Sequence, residues 1–493
     1  MTTSPLDKIA PLNVVSVESE ARHLLRMADD IVFNIPQTAK PIARWKEELC
    51  PLVGDPVLET VRGERELDRL AMKLRDIWMK IAYAYSAPHL KSPLEGSKIE
   101  FPLGRASSCG YERVINPAVQ EKRCETYRPT PSGWRSRHLL FRSGMAAITS
   151  LIQNVRPHLF GRDSGPIILD YFGGYFETKR VFDMFSSPLM SFRRHESQEQ
   201  LFQAIEEGEG QLLFVEPVTY DWEMEALDLD KFLMALSRRK RLPKMIIIDT
   251  TIIGNALPIS QLLSKLPGTP PPILMQISSG LKLDQEGLEL ANAGIVSLFW
   301  SKTDESKAAY TLFRKMRSSR HYTGAGLSVS EIALLDVPWF LNRDRFNAHC
   351  RVIFENNRLL ATILAPVVAS SNGVFSHVSH PSLTELAHLP WAVAPFVIFH
   401  FRKDLDTKEN HAKLTASLRR HSRKEGLGFG TGASFGFRGH RYEIIKPNNI
   451  LHPSGEAKGV LKIAMGCRCG PVRDEIIRLM KTIASSSAIH GDI

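Results

Sequence analysis

Apolar residues recur at helical spacing at Leu67, Leu70, Ala71, Leu74, Ile77, Trp78 and Ile81. Residues 64–84 are therefore expected to form an amphipathic helix whose apolar face meets a core or another subunit. Ile148, Leu151, Ile152 and Val155 repeat the spacing just after Ser143-Gly144, and a further helical run reaches Leu364. Short, nearly continuous apolar runs at 166–170, 211–216, 245–248, 273–277 and 295–300 read as buried strands, as does 396–401. Proline and glycine punctuate residues 87–110, as expected for an arm or linker.

Composition bounds this picture. At 493 residues and 43% hydrophobic, the chain has enough material for a large core and two or three domains. A net charge of +10 is mild for this length, and the densest basic cluster, Arg238, Arg239, Lys240 and Arg241, follows an amphipathic run. It is expected to complement a helix C-terminus, and no nucleic-acid partner is expected. The six cysteines are scattered, so reduced structural thiols are expected, with no disulfide framework and no metal. Residues 1–14 lack a secretory pattern, and the longest candidate span, 389–401, contains Pro390 and Pro395. A cytoplasmic location with no membrane partner is the expectation.

Several positions carry candidate chemistry. Lys282 follows the 273–277 strand after a Ser-Ser-Gly break, which holds one amine at the end of a sheet. Such a lysine can form an imine with a carbonyl cofactor if its surroundings keep part of it unprotonated. Lys302, after the next strand, is its rival. Tyr111 and Arg113 stand two apart before Asn116-Pro117, so an extended segment would turn both toward one anion. Ser143 is a plausible N-cap, and the backbone N–H groups of Gly144 and Met145 would make a phosphate site at the helix start. Asp249 ends the 245–248 strand.

Taken together, Tyr111-x-Arg113 with Asn116-Pro117, and Ser143-Gly144-Met145, resemble motifs of the pyridoxal-phosphate enzymes of cysteine and methionine metabolism. That family includes cystathionine synthases and lyases and methionine γ-lyase. The resemblance runs from Tyr111 to the C-terminus and is densest up to His349. It implies the PLP-dependent aminotransferase-like fold (fold type I), an α/β architecture. A mostly parallel sheet lies between helices in the cofactor domain (111–325), followed by a smaller α/β C-terminal domain (326–493). Residues 1–110 would be an added helical region and arm.

The same resemblance assigns roles. Lys282 would be the Schiff-base lysine, Asp249 the partner of the pyridine nitrogen, and Ser143, Gly144, Met145 and Ser279 the phosphate holders. Tyr111 and Arg113 would reach the phosphate in a neighbouring subunit, making a shared site in a homo-oligomer, with the family's usual tetramer expected. Phe172, before Gly173-Gly174, would stack on the cofactor in place of the family's tyrosine, and Tyr171 or Tyr175 could take over the lost phenol's proton transfers. Tyr220 stands for an asparagine at the cofactor's phenolic oxygen, and Leu281 for a second phosphate-binding hydroxyl. Ser434 lies near the substrate-contacting serine. Lys462 occupies the place of the carboxylate-binding arginine, with Arg468, Arg441 or Arg438 as replacements.

The reading that follows is a PLP-dependent lyase or transferase of specialised metabolism. It would act on an amino acid with a γ or β leaving group, by elimination or replacement through a vinylglycine-type intermediate. An unsaturated or substituted amino acid would be the product. The alternatives are a housekeeping cystathionine or methionine γ-lyase or γ-synthase, and a non-catalytic relative that binds partners.

Overall fold

The computed structural model describes residues 16–486 apart from 95, 109, 162–163, 447–449 and 451–457. Three helices come first: α1 (Val17–Asn34), α2 (Ala39–Leu49) and α3 (Val61–Ser86). Thr60 caps α3 by accepting from the Gly63 amide. The helix covers the expected 64–84 stretch and buries Leu67, Leu70, Leu74 and Trp78. These side chains share one apolar cluster with Leu283, Leu288 and Leu290, just beyond Lys282, and with Trp339 and Phe340. The N-terminal helices are thus built onto the body of the molecule through the segment that follows Lys282. Residues 87–110, expected as a plain linker, contain the hairpin β1 (Lys98–Phe101) and β2 (Arg105–Ser108), anchored by buried Ile99 and Phe101.

After α4 (Ala118–Tyr127) the chain alternates: β3 (Trp134–Phe141), α5 (Gly144–Val155), β4 (Ile167–Phe172), α6 (Phe176–Phe185), β5 (Met190–Arg194), α7 (Gln198–Glu207), β6 (Leu212–Val215) and α8 (Leu229–Arg238). It continues with β7 (Met245–Asp249), α9 (Ile259–Lys265), β8 (Ile273–Ser279) and β9 (Gly294–Ser301). The sheet order is β3-β9-β8-β7-β6-β4-β5, and β9 runs antiparallel to both of its neighbours. Strand residues alternate between two cores, with Leu213, Val215, Ile246 and Ile248 in one and Leu212, Phe214, Met245 and Ile247 in the other. Burial on both faces explains why these strands read as continuous apolar runs.

Helices α10 (Ala308–Thr323), α11 (Val329–Leu335) and α12 (Arg343–Ser370) lead to a second sheet. Its elements are β10 (Phe375–Ser379), β11 (Val397–Phe401), α13 (Lys408–Glu425), β12 (Gly430–Thr431), β13 (Arg441–Ile445), β14 (Val460–Ala464) and α14 (Pro471–Ser485). The strand order is β10-β11-β14-β13-β12. By length and composition α12 could cross a membrane. Here it is a core helix, burying Phe346, Ile353, Leu360 and Leu364.

Candidate active site

The parallel strands β4, β6, β7 and β8 end on one side of the large sheet, where ligands of open α/β sheets bind. A cavity of about 490 Å³ lies there, reaching across to the second sheet. At one end stands the start of α5. Ser143 accepts from the Ala146 amide at 3.0 Å, and its carbonyl accepts from Ala147 at 3.1 Å. The first-turn amides of Gly144 and Met145 are left for an anion. Gly294 allows this approach, because a Cβ there would lie 2.2 Å from the Ser143 carbonyl oxygen. Ser279 and Asn292 line the cavity as well.

Asp249 ends β7 in the same cavity. Burial raises its carboxyl, while the hydroxyl and the amide of Thr251 (N to Oδ1, 2.8 Å) pull it down. Lys282 lines the same cavity from the loop after β8, its Nζ bonded to Ser434 Oγ and 5.6 Å from the Phe435 ring centre. Burial, reinforced by the charge of Lys462, lowers the Lys282 amine to about 8, so a useful fraction is neutral. Ser434 sits at φ 83°, where a non-glycine residue is strained. Two residues on, Gly436 is required, since a Cβ there would lie 2.2 Å from the Lys282 carbonyl oxygen. Lys302 lies at the far end of β9, exposed and outside this cavity.

The aromatic wall differs from expectation. Phe172 is buried in the sheet core and does not line the cavity. Its strand is still in the sheet at that point, and only after Gly173-Gly174 does the chain swing out and present Tyr175. The Tyr175 hydroxyl donates to Glu177 Oε2 at 2.7 Å, and burial followed by Glu177 raises the phenol. Tyr171 packs against Phe182 in the opposite core. Tyr220 lines the cavity edge-on to Tyr175, ring centres 5.6 Å apart, with its hydroxyl 3.3 Å from Lys462 Nζ. Lys462 is buried and also pairs with Glu443 at 2.7 Å. Burial opposes its charge, but Tyr220 and Glu443 outweigh that and hold the ammonium above its usual value.

Three expected carboxylate binders are engaged elsewhere. Arg468 is buried outside the cavity, with Nη1 2.5 Å from Asp68 Oδ2 and Nε 3.6 Å from Glu64, both on α3. Arg438 is paired with Glu20 of α1. Arg441 is ion-paired with Glu289 and stacked 4.2 Å from the Phe437 ring centre; it does not line the cavity, but its charge still acts on Lys282. Tyr111 and Arg113 do not line this chain's cavity either. A 3-10 turn over Glu112–Val114 replaces the expected extended segment, yet the guanidinium still lies 5.3 Å from the Tyr111 ring centre.

Glu216 is the residue sequence reasoning passed over. It lines the cavity at the end of β6 and accepts from the amides of Gly174 (3.0 Å), Tyr175 (3.3 Å) and Tyr220 (3.0 Å). Burial, with Asp249 next, raises its carboxyl to about 7. A carboxylate ending an apolar strand before Pro217 was the available signal. Glu443 had none, because only the register of β13 on β14 brings it opposite Lys462.

One donor set therefore combines an anion site, a carboxylate, a partly neutral amine and a phenol-bearing ring around a single cavity, and pyridoxal phosphate fits it. No protein-family model matches the chain, and no curated protein does. Solved structures match in fold. A methionine gamma lyase from Micromonospora echinospora is 16% identical over 78% of this chain and 89% of its own, with TM-score 0.53. A cystathionine gamma-lyase from yeast is 13% identical over 83% of this chain and 98% of its own, with TM-score 0.54. The metB protein of Corynebacterium glutamicum is 16% identical over 83% of this chain and 97% of its own, with TM-score 0.53. The chain has the fold of the fold type I pyridoxal-phosphate-dependent enzymes, with a mostly parallel central sheet and a smaller C-terminal sheet.

Proposed function

We propose that the chain is a pyridoxal-phosphate-dependent lyase or transferase for an amino acid with a leaving group on its γ or β carbon. The observation that carries this reading is the shared cavity: it is lined by the lowered amine of Lys282, by Asp249 and by the start of α5 with its open amides. Ser143, Gly144, Met145 and Ser279 would hold the phosphate, Asp249 the ring nitrogen, and Tyr175 a face of the ring. When bound, the cofactor supplies an electron sink for negative charge developing at the substrate α-carbon. Lys282 Nζ takes the α-proton, and in the γ-directed branch moves a second proton from the β-carbon. Ser434, bonded to that amine, orients it. Tyr220, Lys462 and Glu443 form a chain along the substrate side, where a proton can be delivered to a departing group. The product is an unsaturated or substituted amino acid. Tyr111 and Arg113, outside their own cavity, would complete the partner subunit's phosphate site.

The test is the near-ultraviolet and visible absorption of wild type and Lys282→Ala after adding pyridoxal phosphate, before and after borohydride. A visible band that borohydride abolishes, with cofactor fixed covalently at Lys282 and not fixed in the variant, is the expected result. A wild type without such a band sinks the reading.

A further inference from the structure

The loop from Gly280 to Gly294 joins β8 to β9 and carries Lys282 on its outgoing limb and Asn292 on its returning limb, both lining the cavity. Its neck is closed by Gly280 N to Ala293 O at 2.8 Å. Fully buried Gln285 staples the inside, donating to the carbonyls of Gly280 (2.8 Å) and Ala291 (2.6 Å) and accepting from the amides of Leu290 (2.6 Å) and Ala291 (3.1 Å). Its tip is strained, with Glu286 at φ 48° and Glu289 at φ 49°, so it needs holding from outside.

The N-terminal helices and α12 supply that hold. Glu286 is buried and bonded to His23 of α1 (2.8 Å) and to Arg345 of α12 (2.5 and 3.0 Å), and Arg345 also pairs with Asp30 of α1 at 2.6 Å. Arg75 of α3 spreads its guanidinium over the main chain, donating from Nε to the Leu288 carbonyl (2.6 Å) and from Nη2 to the Glu289 carbonyl (2.9 Å). The Glu289 side chain in turn holds Arg441, and the charges of both act on Lys282. Beside the apolar packing of α3 on Leu283, Leu288 and Leu290, the fork of Arg75 is thus the polar contact by which α3 holds the strained turn and, with it, the two limbs at the cavity.

We propose that Arg75 is a positioning residue for Lys282, and that the N-terminal helical layer serves as a clamp on the lysine loop. This deepens the reading of Lys282 as the reactive amine. With the guanidinium removed, the Leu288 and Glu289 carbonyls lose their donors, the tip relaxes, and water gains access to the amine.

The experiment uses cofactor-free wild type, Arg75→Ala and Arg75→Lys. Acetylation of Lys282 by acetic anhydride is followed by mass spectrometry across a pH series, and hydrogen exchange is measured on the same proteins. In wild type the labelling midpoint is expected near 8. Arg75→Ala moves it up by at least about one unit, so about tenfold less neutral amine is present below the midpoint. Exchange in peptides covering 283–293 speeds up, while β6 and β7 stay protected. Arg75→Lys, which keeps the charge but not the fork, falls between. If Arg75→Ala does not fold, Arg75→Lys carries the test by the same two readouts. An unchanged midpoint and unchanged loop exchange overturn the proposal, as does faster exchange spread evenly over the chain. Neither readout involves pyridoxal phosphate, so a wild type that gains no visible band sinks the cofactor reading and leaves this result standing.

Discussion

Glu216 concentrates the chemistry of the site in one side chain. It gathers the amides of Gly174, Tyr175 and Tyr220 onto one carboxylate, and burial followed by the nearby Asp249 raises it from 4.5 to about 7. A folded-state value above the unfolded one means the fold keeps a proton that the unfolded chain has already lost. The resulting stability is fully present below about 4.5 and is lost as the pH rises through about 7. Glu216→Gln removes this titration and leaves an amide without its acceptor, at a cost of about 1–3 kcal/mol. In urea unfolding, the stability advantage of wild type over the variant is expected to shrink across that window. A constant difference would show that Glu216 does not titrate there. At this scale the sequence was readable where a residue ends a strand, starts a helix or closely follows a strand end, as Asp249, Ser143 and Lys282 do. The engagement of Arg468 was not legible because its partner Asp68 lies 400 residues earlier in the chain, where no spacing rule reaches. Which aromatic forms the wall was not legible, because spacing does not show that Phe172 is still in the sheet and Tyr175 is not.

Among the elements, the turn between β4 and α6 turns a strand end into a wall of the cavity, and it works only with glycines. A Cβ on Gly173 would lie 2.8 Å from Glu216, and one on Gly174 would lie 2.4 Å from the Tyr220 carbonyl oxygen. Gly174→Ala must push this turn off Tyr220 and Asp221 in the segment after β6 and move Tyr175 with it, at an overpacking cost of about 1–3 kcal/mol. Weaker retention of pyridoxal phosphate should accompany the lower stability. Gly165→Ala, with nothing within 4 Å of the added carbon, is the control expected to match wild type. Equal stability and equal cofactor retention in the two variants would remove the turn from the site. The inner strands β4, β6, β7, β8 and β9 were legible because a sheet covered on both faces needs uninterrupted apolar runs, whereas the edge strands β3 and β5, interrupted by Arg135, Arg137, Arg193 and Arg194, were not. The 3-10 turn after Tyr111 was not, because Asn116 just beyond it is held by Arg317 and Arg320 of α10, about two hundred residues later, at 3.3 and 2.9 Å.

For the whole molecule, the resemblance covered residues from Tyr111 onward and left the first hundred or so without a role. Physically they are the layer that occupies Arg438 and Arg468 and grips the lysine loop. Their buried face was legible as a helical stripe; what it would meet was not, because its partners come from much later in the chain. Tyr111 is 47% exposed, yet the segment is fastened in place by Glu112 N to Lys91 O at 2.8 Å and by the Lys91–Glu112 ion pair at 2.7 Å. In the proposed shared site, such a fastened, exposed phenol with a guanidinium beside it would reach the phosphate held by a partner subunit, and subunit mixing tests this directly. Lys282→Ala and Arg113→Ala are each expected to fix little cofactor at limiting pyridoxal phosphate, the first for want of the amine and the second for want of a phosphate contact. In a mixed dimer, one site would combine Lys282 of one chain with Arg113 of the other and be intact. Random exchange in an equal mixture makes half of the dimers mixed, so borohydride should fix cofactor in about a quarter of all sites beyond what the separate variants give. If Arg113 served its own chain's cavity, every site in the mixture would lack one of the two groups, and fixation would stay at the level of the separate variants.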